Sequence, residues 1–547
     1  MAGAAIGALV LFPAAASAAS TGFATGDPAR TYVEARAAAI NGDHARAAEL
    51  LASLAEAAPD ESNIARSALA EALGSGQFEL ALNLARNIPA AKMPVDGRLL
   101  LVAEEVKHHR ADRALAWLGT GNLSFLAPFL TAWDAADRGD SNQALASLGQ
   151  IPANGLLAPL RDEQQALILL KFHRADEAEP YARRAIGNAG GRETHVRLAL
   201  ADGFLGAGDR TRALAMLDGL TADAAVARQR VMAGKPSGEG IDNSEKALSA
   251  ILTAFGADLA RLQRGAAPIG LVQVARYANP QNSSAIALLA LLLETQDRTP
   301  EALALLRSVP ASDPLISPIR DVQVRILTDD KQLDAAYSVA AAAAAESSAG
   351  ISDYSRLGDV LAAMDQQDKA ADAYGRAVAL ATAQGLKSEL WSLLLLRASA
   401  LEQANRWPEA KEALRQALAI APEEPLLLNF LGYAKLERGE DMDSAEAMIR
   451  KASELAPDDA SITDSLGWAQ YKRGKIDEAI ATLERAAQKD PEQAEIQEHL
   501  GDALFKAGRR YEARFAWNAA LVTAEDKDAA RLRAKLSSGL TAADAAP

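Results

Sequence analysis

The chain has 547 residues, a formal net charge of −15 at pH 7 and no cysteine. Without cysteine it has no disulfide, thiolate metal site or lipid-modified N-terminal cysteine, and its acidity argues against nucleic acid and anionic membrane surfaces as partners. Close to a quarter of the residues are Ala, whereas only 5% are aromatic. Because Ala loses no side-chain entropy in a helix, this composition predicts an all-helical chain and argues against β-sandwiches and barrels.

The N-terminal residues have the pattern of a signal peptide. An apolar run at 4–12 (AAIGALVLF) is followed at 16–18 by ASA, the small-residue pattern that precedes a cleavage site. No basic residue comes before Arg30, and an Ala-rich disordered tail is the alternative. We predict a cleaved signal peptide at 1–18 and a periplasmic mature protein. No other stretch has 18 unbroken apolar residues, so no transmembrane segment is expected.

Turn signals recur along residues 19–232 and predict a degenerate series of helical hairpins. In each signal an Ala follows a Gly by five residues: Gly42 and Ala47, Gly76 and Ala81, Gly139 and Ala144, and Gly208 and Ala213. Two helices of about 13 residues, joined by a tight turn, fill about 34 residues, which is the period of such a repeat. Because one hairpin cannot bury its apolar face alone, neighbouring hairpins are expected to stack into a solenoid.

The same spacing continues beyond one interruption. Residues 233–244 (AGKPSGEGIDNS) are rich in Gly and Ser and predict a loop or linker. Residues 245–350 are interpreted as further degenerate helical repeats, in which Asp297 and Asp330 stand where Gly stood before, again with Ala five residues later. The mature chain is thus predicted to contain roughly a dozen hairpins.

The repeat is most regular over residues 351–524. Its Ala residues are separated by 40, 35, 34 and 34 positions: Ala370, Ala410, Ala445, Ala479 and Ala513. Twelve residues after the middle three stand Pro422, Pro457 and Pro491, which are expected to end the second helix of each hairpin. Leu-Gly pairs fall on the first helix, where the missing side chain lets two helix axes approach closely. Residues 525–547 are predicted to form a C-terminal helix and a disordered tail.

These features resemble the tetratricopeptide repeat (TPR). The clearest unit, 460–493, has the family's signature at Leu466, Gly467, Gly474, Ala479, Ala486 and Pro491. The resemblance implies a right-handed α-solenoid of stacked hairpins. Residues 428–521 further resemble exported multi-repeat TPR proteins of proteobacteria. A related group comprises outer-membrane lipoproteins that bring substrates to carboxy-terminal processing proteases, but their lipid-bearing Cys is missing here.

In TPR proteins the first helix of each hairpin lines the concave surface, so the resemblance implies a partner-binding groove there. The candidate groove residues are Asn429, Tyr433, Asp464, Trp468, Tyr471, Lys472, His499, Asp502, Phe505 and Lys506. Aromatic rings beside hydrogen-bonding groups suit a groove that takes an extended peptide or a helix. Alternatively, Tyr433, Trp468 and Phe505 fill the space between adjacent hairpins.

The same positions argue against one TPR activity. Co-chaperones of this family bind a terminal carboxylate with a Lys and an Asn one turn apart. At those offsets this chain has Asp464 with Trp468, and Glu498 with Asp502. Acidic groups there would repel a carboxylate.

The sequence contains no catalytic signature such as G-x-S-x-G or H-E-x-x-H. Glu104-Glu105-x-x-His108-His109, the one His cluster, is interpreted as Glu–His pairs at a helix end rather than as a metal site. We therefore predict a non-catalytic periplasmic scaffold or adaptor for proteins or peptides, with no cofactor and no metal. An envelope protease or a cell-wall hydrolase is the partner considered. The alternative is a peptidoglycan-associated TPR protein that works with hydrolase or protease partners, and an enzyme is a third hypothesis.

Overall fold

We describe a computed structural model of the chain. It covers residues 27–541 with gaps at 120, 156, 219, 221–224 and 263–266. The predicted signal peptide at 1–18 and the last six residues lie outside this part of the chain. Helices account for 77% of the structure, and the residues it describes contain no strand. The prediction of an all-α chain of stacked helical hairpins is confirmed.

The helices of the first half of the chain are α1 (Pro28–Ile40), α2 (His44–Ala57), α3 (Ser62–Gly74), α4 (Phe78–Asn87), α5 (Val95–Lys107), α6 (Ala111–Leu118), α7 (Ala127–Asp137), α8 (Ser141–Leu148), α9 (Ala158–Lys171), α10 (Ala175–Gly187), α11 (Glu193–Gly206), α12 (Arg210–Met216), α13 (Ala225–Met232), α14 (Ser244–Leu262), α15 (Ile269–Ala278), α16 (Ser283–Glu294) and α17 (Thr299–Arg307). Short 3-10 helices lie at Ala90–Lys92, Ser124–Leu126 and Gly190–Arg192.

The helices of the second half are α18 (Ile316–Asp329), α19 (Leu333–Ala344), α20 (Ile351–Ala363), α21 (Gln367–Gln384), α22 (Lys387–Gln403), α23 (Trp407–Ile420), α24 (Pro425–Glu437), α25 (Met442–Leu455), α26 (Ala460–Lys472), α27 (Ile476–Lys489), α28 (Ala494–Lys506), α29 (Arg510–Thr523) and α30 (Asp526–Ser538). Successive helices pack against one another as hairpins along most of the chain.

Most hairpins turn at a residue in the left-handed conformation, five positions before a fully buried Ala of the second helix. These pairs are Gly42 and Ala47, Gly76 and Ala81, His109 and Ala114, Gly139 and Ala144, His173 and Ala178, Gly208 and Ala213, Asp297 and Ala302, Lys331 and Ala336, Asp365 and Ala370, Asn405 and Ala410, Gly474 and Ala479, and Gly508 and Ala513. Gly adopts a positive φ without steric cost, and Asn, Asp and His are the other residues most often found there.

One predicted turn is wrong by one residue. The left-handed residue between α18 and α19 is Lys331, with φ 57°, rather than Asp330. Helix α18 extends through Asp329 and is capped by Asp330, which shifts the turn by one position. The Ala that packs fully inside the hairpin is consequently Ala336.

The Gly residues of the first helices lie where two helices touch. A Cβ atom built at Gly467 of α26 would lie 2.6 Å from Cγ of Leu483 on α27, and one at Gly432 would lie 2.7 Å from Cγ1 of Ile449. Any side chain there would push the two helices apart. The close approach expected from the Leu-Gly pairs is therefore present in these hairpins.

The chain divides into two compact units. Unit 1 comprises residues up to 218 together with 227–314, and unit 2 comprises 219–226 together with 315–547. The predicted loop or linker at 233–244 lies inside unit 1 rather than at this division.

In unit 1 a later part of the unit covers the face made by the first helices. Helix α15 packs on α3 and α5, and α14 packs on α5 and α7. Nε2 of Gln273 donates to the carbonyl oxygen of Gly74 (3.2 Å), and Oη of Tyr277 donates to Oε2 of Glu104 (2.5 Å). The covering helices are thus joined to the repeats by specific polar contacts.

The loop at 233–244 is also packed against a first helix of unit 1. The backbone N–H groups of Ser237 and Gly238 donate to the Asp202 carboxylate of α11, at 2.5 and 2.9 Å. Ser237 is fully buried. A Cβ atom at Gly240 would lie 3.2 Å from Cβ of Asp202, so this loop lies directly on α11.

Candidate partner-binding face of the C-terminal repeats

The first helices of unit 2 enclose a cleft between α22, α24, α26 and the start of α28. Its volume is about 530 Å³, within the usual range of ligand pockets, about 300–1,000 Å³. The lining residues are Leu395, Leu396, Ser399, Glu402, Leu426, Asn429, Phe430, Tyr433, Ala434, Glu437, Arg438, Ser461, Asp464, Ser465, Gln493 and Glu495. We call this feature the α22–α28 cleft.

Part of the lining is apolar and open to solvent. Leu396 of α22 and Leu426 of α24 expose 38% and 49% of their surfaces. Phe430 and Tyr433 are half-buried beside them. Leu426, Phe430 and Tyr433 follow one another at four- and three-residue intervals, which places them on one face of α24. Such a surface is stabilised when another apolar group covers it.

The remainder of the lining is rich in carboxylates. Arg438 is paired with Glu402, with 2.6 Å between guanidinium and carboxylate. Glu437 accepts hydrogen bonds from Nε1 of Trp468 (3.0 Å) and Nζ of Lys472 (3.1 Å). These contacts hold Glu402 and Glu437 in place and balance part of their charge.

Other polar groups of the cleft are left without such contacts. Within the residues that the structure describes, Oδ1 of Asn429 and Oδ1 of Asp464 are buried and accept no hydrogen bond. Glu495 is exposed at the start of α28 and has no ion pair or hydrogen bond to the described residues. A buried acceptor without a donor costs free energy, so a bound molecule that donates to these oxygens would be stabilised.

Three rings are stacked next to the cleft. The Trp468 ring centroid lies 4.6 Å from that of Tyr471 and 4.1 Å from that of His499, with nearly parallel planes. Trp468 exposes only 1% of its surface and packs in a core cluster with Leu436 and Ile449. For Trp468 the structure therefore matches the alternative in which the ring fills space between hairpins.

His499 connects this stack to the cleft. Its Nδ1 lies 2.8 Å from Oδ2 of Asp464, and its side chain is fully buried. Burial lowers the pKa of His499, but the carboxylates of Asp464, Glu495 and Asp502 act in the opposite direction and outweigh it. The net effect is that the pKa of His499 is raised above its ordinary value.

Helix α30 covers the last hairpin through a buried ionic network. Nζ of Lys535 is fully buried and lies 2.6 Å from Glu498 and 2.8 Å from Asp502. Arg531 lies 2.7 Å from Glu498, and Nε1 of Trp517 donates to Asp502 at 2.9 Å. Burial raises the pKa of Glu498, but hydrogen bonds from Arg531 and Lys535 outweigh it, so that this pKa is lowered.

The predicted groove residues lie on α24, α26 and α28 but differ in exposure. The buried ones are Asp464, Trp468, His499 and Asp502. The half-buried ones are Asn429, Tyr433, Tyr471 and Phe505, and the exposed ones are Lys472 and Lys506. Of the whole set, the cleft is lined by Asn429, Tyr433 and Asp464. Their role in partner binding stays a prediction.

Sequence reasoning missed several lining residues. Leu396, Leu426, Phe430 and Glu495 were not among the candidates, although all lie on first helices. On α24 the signal was available, because Leu426 precedes Phe430 by four residues and would share its helix face. The predicted residues of this helix, Asn429 and Tyr433, lie closer to its Leu-Gly pair than Leu426 does.

Two His-containing clusters lie outside the cleft. Among the residues described, no three His, Asp or Glu side chains are placed to hold a metal ion. Glu104 is paired with Arg86 at 2.9 Å and, as predicted for this helix end, with Nε2 of His108 at 3.4 Å. In unit 1, Oγ of Ser284 and Oε2 of Glu239 lie 3.0 and 3.5 Å from His195, but both at Nδ1. A hydrolytic triad needs its nucleophile and its acid at different ring nitrogens.

Two segments of the chain match family models of the TPR. Residues 395–460 match the model described as tetratricopeptide repeat, and residues 467–508 match that described as TPR repeat. The chain therefore contains TPR repeats. Repeats of this kind are typically non-catalytic interaction scaffolds and generally bind proteins or peptides. No curated protein matches the chain. None of the helices in the part described combines the length and apolar character needed to cross a membrane.

Several solved structures are similar to the chain. The APC/C hetero-tetramer Cut9–Hcn1 is 15% identical, with 94% of this chain and 97% of that chain covered and a TM-score of 0.38. Yeast Tom70 is 13% identical, with 94% and 95% covered and a TM-score of 0.32. A TPR protein from Parabacteroides merdae is 14% identical, with 53% and 97% covered and a TM-score of 0.37.

Proposed function

We propose that the chain is a non-catalytic periplasmic scaffold that binds a segment of a partner protein in the α22–α28 cleft. The observation that carries this proposal is the composition of the cleft. Exposed Leu396 and Leu426 stand beside buried oxygens of Asn429 and Asp464 that receive no hydrogen bond from the described residues. A complex would be stabilised if the partner covered the two leucines and donated hydrogen bonds to the two oxygens.

Unit 2 is favoured over unit 1 because of what covers the first helices. In unit 1 this face is already in contact with α14, α15 and the loop at 233–244. A partner would have to displace these segments and their hydrogen bonds before it could bind there. The cleft of unit 2 presents exposed apolar side chains without such a displacement.

A polypeptide suits the cleft better than a purely polar ligand. Its backbone N–H groups can donate to Oδ1 of Asn429 and Oδ1 of Asp464, while its side chains cover Leu396 and Leu426. The cleft volume of about 530 Å³ has room for side chains of a peptide segment rather than for a folded domain. Location in the periplasm is supported by the apolar run and the ASA pattern at 4–18.

Site-specific crosslinking in living cells tests the binding face. A photo-reactive amino acid is placed at Ser461, which is exposed and lines the cleft, and at Ala481 of α27, which is exposed but does not line it. We expect defined protein adducts from position 461 that are absent from position 481. Identical adducts from both positions, or none from position 461, would contradict the proposal.

Two further measurements test the remaining parts. Osmotic-shock fractionation should release the chain with the periplasmic contents, and the mature N-terminus should lie near Ala19; retention in the cytoplasm would remove the periplasmic assignment. Sedimentation with purified peptidoglycan, in the absence of any protein adduct from position 461, would replace the scaffold by the wall-binding alternative.

A further inference from the structure

The charge of the α22–α28 cleft restricts the kind of protein segment that can bind in it. This inference rests on the proposed function. We propose that the cleft selects an extended protein segment in which a bulky apolar residue stands next to Lys or Arg. The apolar side chain packs on Leu396, Leu426 and Phe430. The basic side chain extends towards Asp464 and Glu495.

The lining is acidic overall. Four carboxylates, on Glu402, Glu437, Asp464 and Glu495, are opposed by one guanidinium, on Arg438. Arg438 is already paired with Glu402 at 2.6 Å and has little to offer an anionic ligand. A cationic side chain is therefore complementary to the cleft, whereas an acidic peptide or a free terminal carboxylate is repelled.

Glu495 supplies the charge that remains unbalanced. Oδ2 of Asp464 is occupied by His499 at 2.8 Å, and Glu402 is occupied by Arg438. Glu495 has no ion pair or hydrogen bond to any of the residues described, and it stands at the exposed start of α28. An incoming Lys or Arg would form with this carboxylate an ion pair that the described residues do not supply.

Asp464 is the independent observation that points to a donor. Its side chain is more than nine-tenths buried, it lines the cleft, and its Oδ1 accepts no hydrogen bond from the residues described. A carboxylate oxygen kept away from water is left unsatisfied only at a cost. A Lys or Arg head group, or a backbone N–H group beside it, would satisfy this oxygen.

An extended segment fits these acceptors better than a helix does. The backbone N–H groups in the body of a helix are bonded within the helix, so that only its side chains could reach Asn429 and Asp464. An extended chain keeps its N–H groups free, and its successive side chains point in opposite directions. It can therefore offer backbone donors, an apolar side chain and a basic side chain over a few residues.

A peptide library tests this selectivity without assuming a natural partner. The full chain is immobilised, and binders are selected from random dodecapeptides displayed on phage. We expect enrichment of Lys or Arg adjacent to Leu, Ile, Phe or Trp. The selected peptides are then synthesised with an amidated C-terminus, and their affinity is measured by fluorescence anisotropy.

Matched variants of the chain connect affinity to the cleft. E495Q should weaken binding of the basic peptides by about fivefold at low salt and by less at high salt. E492Q is the control, because Glu492 is exposed three residues earlier and does not line the cleft, so affinity should not change. L426S should weaken binding of every selected peptide.

The outcomes separate this inference from the proposed function. Binders that lose affinity with L426S but show no basic enrichment, or are insensitive to E495Q, overturn the charge selectivity and leave the cleft as a protein-binding site. Enrichment of acidic peptides overturns it as well. A selection that yields no binder, or binders insensitive to L426S, overturns both the selectivity and the proposed function.

Discussion

The first-helix faces of the two units differ in what covers them. In unit 1, α15 lies on α3 and α5, α14 lies on α5 and α7, and the loop at 233–244 is bonded to α11. In unit 2, the α22–α28 cleft leaves leucines exposed on the same side of the hairpins. One repeat type therefore builds both a filled face and an open one, and the presence of repeats alone does not tell which of them can bind a partner.

The polar groups on the two faces differ in the same way. The carbonyl oxygen of Gly74 in unit 1 accepts hydrogen bonds from Gln273 (3.2 Å) and from Arg298 (3.0 Å), which come from later segments of the unit. In unit 2, Oδ1 of Asn429 and Oδ1 of Asp464 find no donor among the residues described. The covered face of unit 1 therefore receives hydrogen-bond donors from a later segment of the chain, whereas these two oxygens of unit 2 receive none from the described residues.

The first prediction has the largest expected effect on the free energy of unfolding. It tests whether the ring stack beside the cleft belongs to the core or to the binding surface. Trp468 exposes 1% of its surface, so W468A should lower the free energy of unfolding by about 3–5 kcal/mol. Y511A is the control, because Tyr511 is 84% exposed and its loss should change stability by less than about 0.5 kcal/mol. Urea denaturation followed by circular dichroism measures both. A W468A chain as stable as the wild type would show that the stack belongs to the open face.

The second prediction breaks the cover of unit 1. D202A removes the acceptor of the Ser237 and Gly238 N–H groups, and leaving such groups unsatisfied costs about 1–3 kcal/mol each. We expect the loop at 233–244 to exchange its amide hydrogens faster, as measured by mass spectrometry. D176A is the control, since Asp176 is exposed on α10. Unchanged exchange in D202A would mean that the loop is held by other contacts.

Much of the fold could be predicted because the hairpins repeat a local rule. A left-handed turn residue stands five positions before a buried Ala, and where Gly fills the turn, as at Gly42 or Gly474, the sequence reveals it. The turns at His109 and His173 follow the same rule but are not evident from the sequence, because His, unlike Gly, is also common in helices and other ordinary conformations. Between α18 and α19 the predicted turn residue is one position too early, because Asp330 belongs to a residue type that is common in turns and Lys331 does not.

The cover of unit 1 could not be predicted from the sequence. Residues 244–278 have the same helical periodicity as any repeat, and nothing local shows that α14 and α15 contact helices more than 100 residues earlier. The candidate site was predicted in part: Asn429, Tyr433 and Asp464 line the cleft, as their positions on first helices suggested. Burial of Trp468 and His499 depends on how neighbouring hairpins stack, which is a tertiary property.

The third prediction uses half-buried His195 and fully buried His499 to compare the environments of the two units. The pKa of His195 in unit 1 is lowered to about 4, first by burial and then by Arg192, whereas that of His499 in unit 2 is raised by carboxylates that outweigh burial. NMR titration of the imidazole Cε1–H signals, assigned with H195Q and H499Q, should find one below and one above the unperturbed value of about 6.5. The reverse order would contradict the electrostatic difference between the two sites.

The sign of the pH dependence of stability follows from these directions. The stability contributed by His499 is present below about pH 6.5 and is lost as the pH rises through its folded-state pKa. For His195 the folded state disfavours the proton, so its contribution is present above about pH 6.5 and is lost as the pH falls towards 4. In H499Q the stability should therefore fall less as the pH rises above about 6.5 than it does in the wild type. In H195Q it should fall less as the pH drops from about 6.5 towards 4.

The last prediction has the smallest expected change in stability. It separates an effect on partner binding at the α22–α28 cleft from an effect on folding. Leu426 and Leu427 are neighbours on α24, but Leu426 is 49% exposed in the cleft while Leu427 is 0% exposed in the core. L426S should alter the free energy of unfolding by less than about 0.5 kcal/mol, whereas L427S should lower it by several kcal/mol. In the crosslinking experiment, L426S should reduce the adducts from position 461 although the chain stays folded. If L426S unfolds the chain, or leaves those adducts unchanged, the cleft is as closed to partners as the covered face of unit 1.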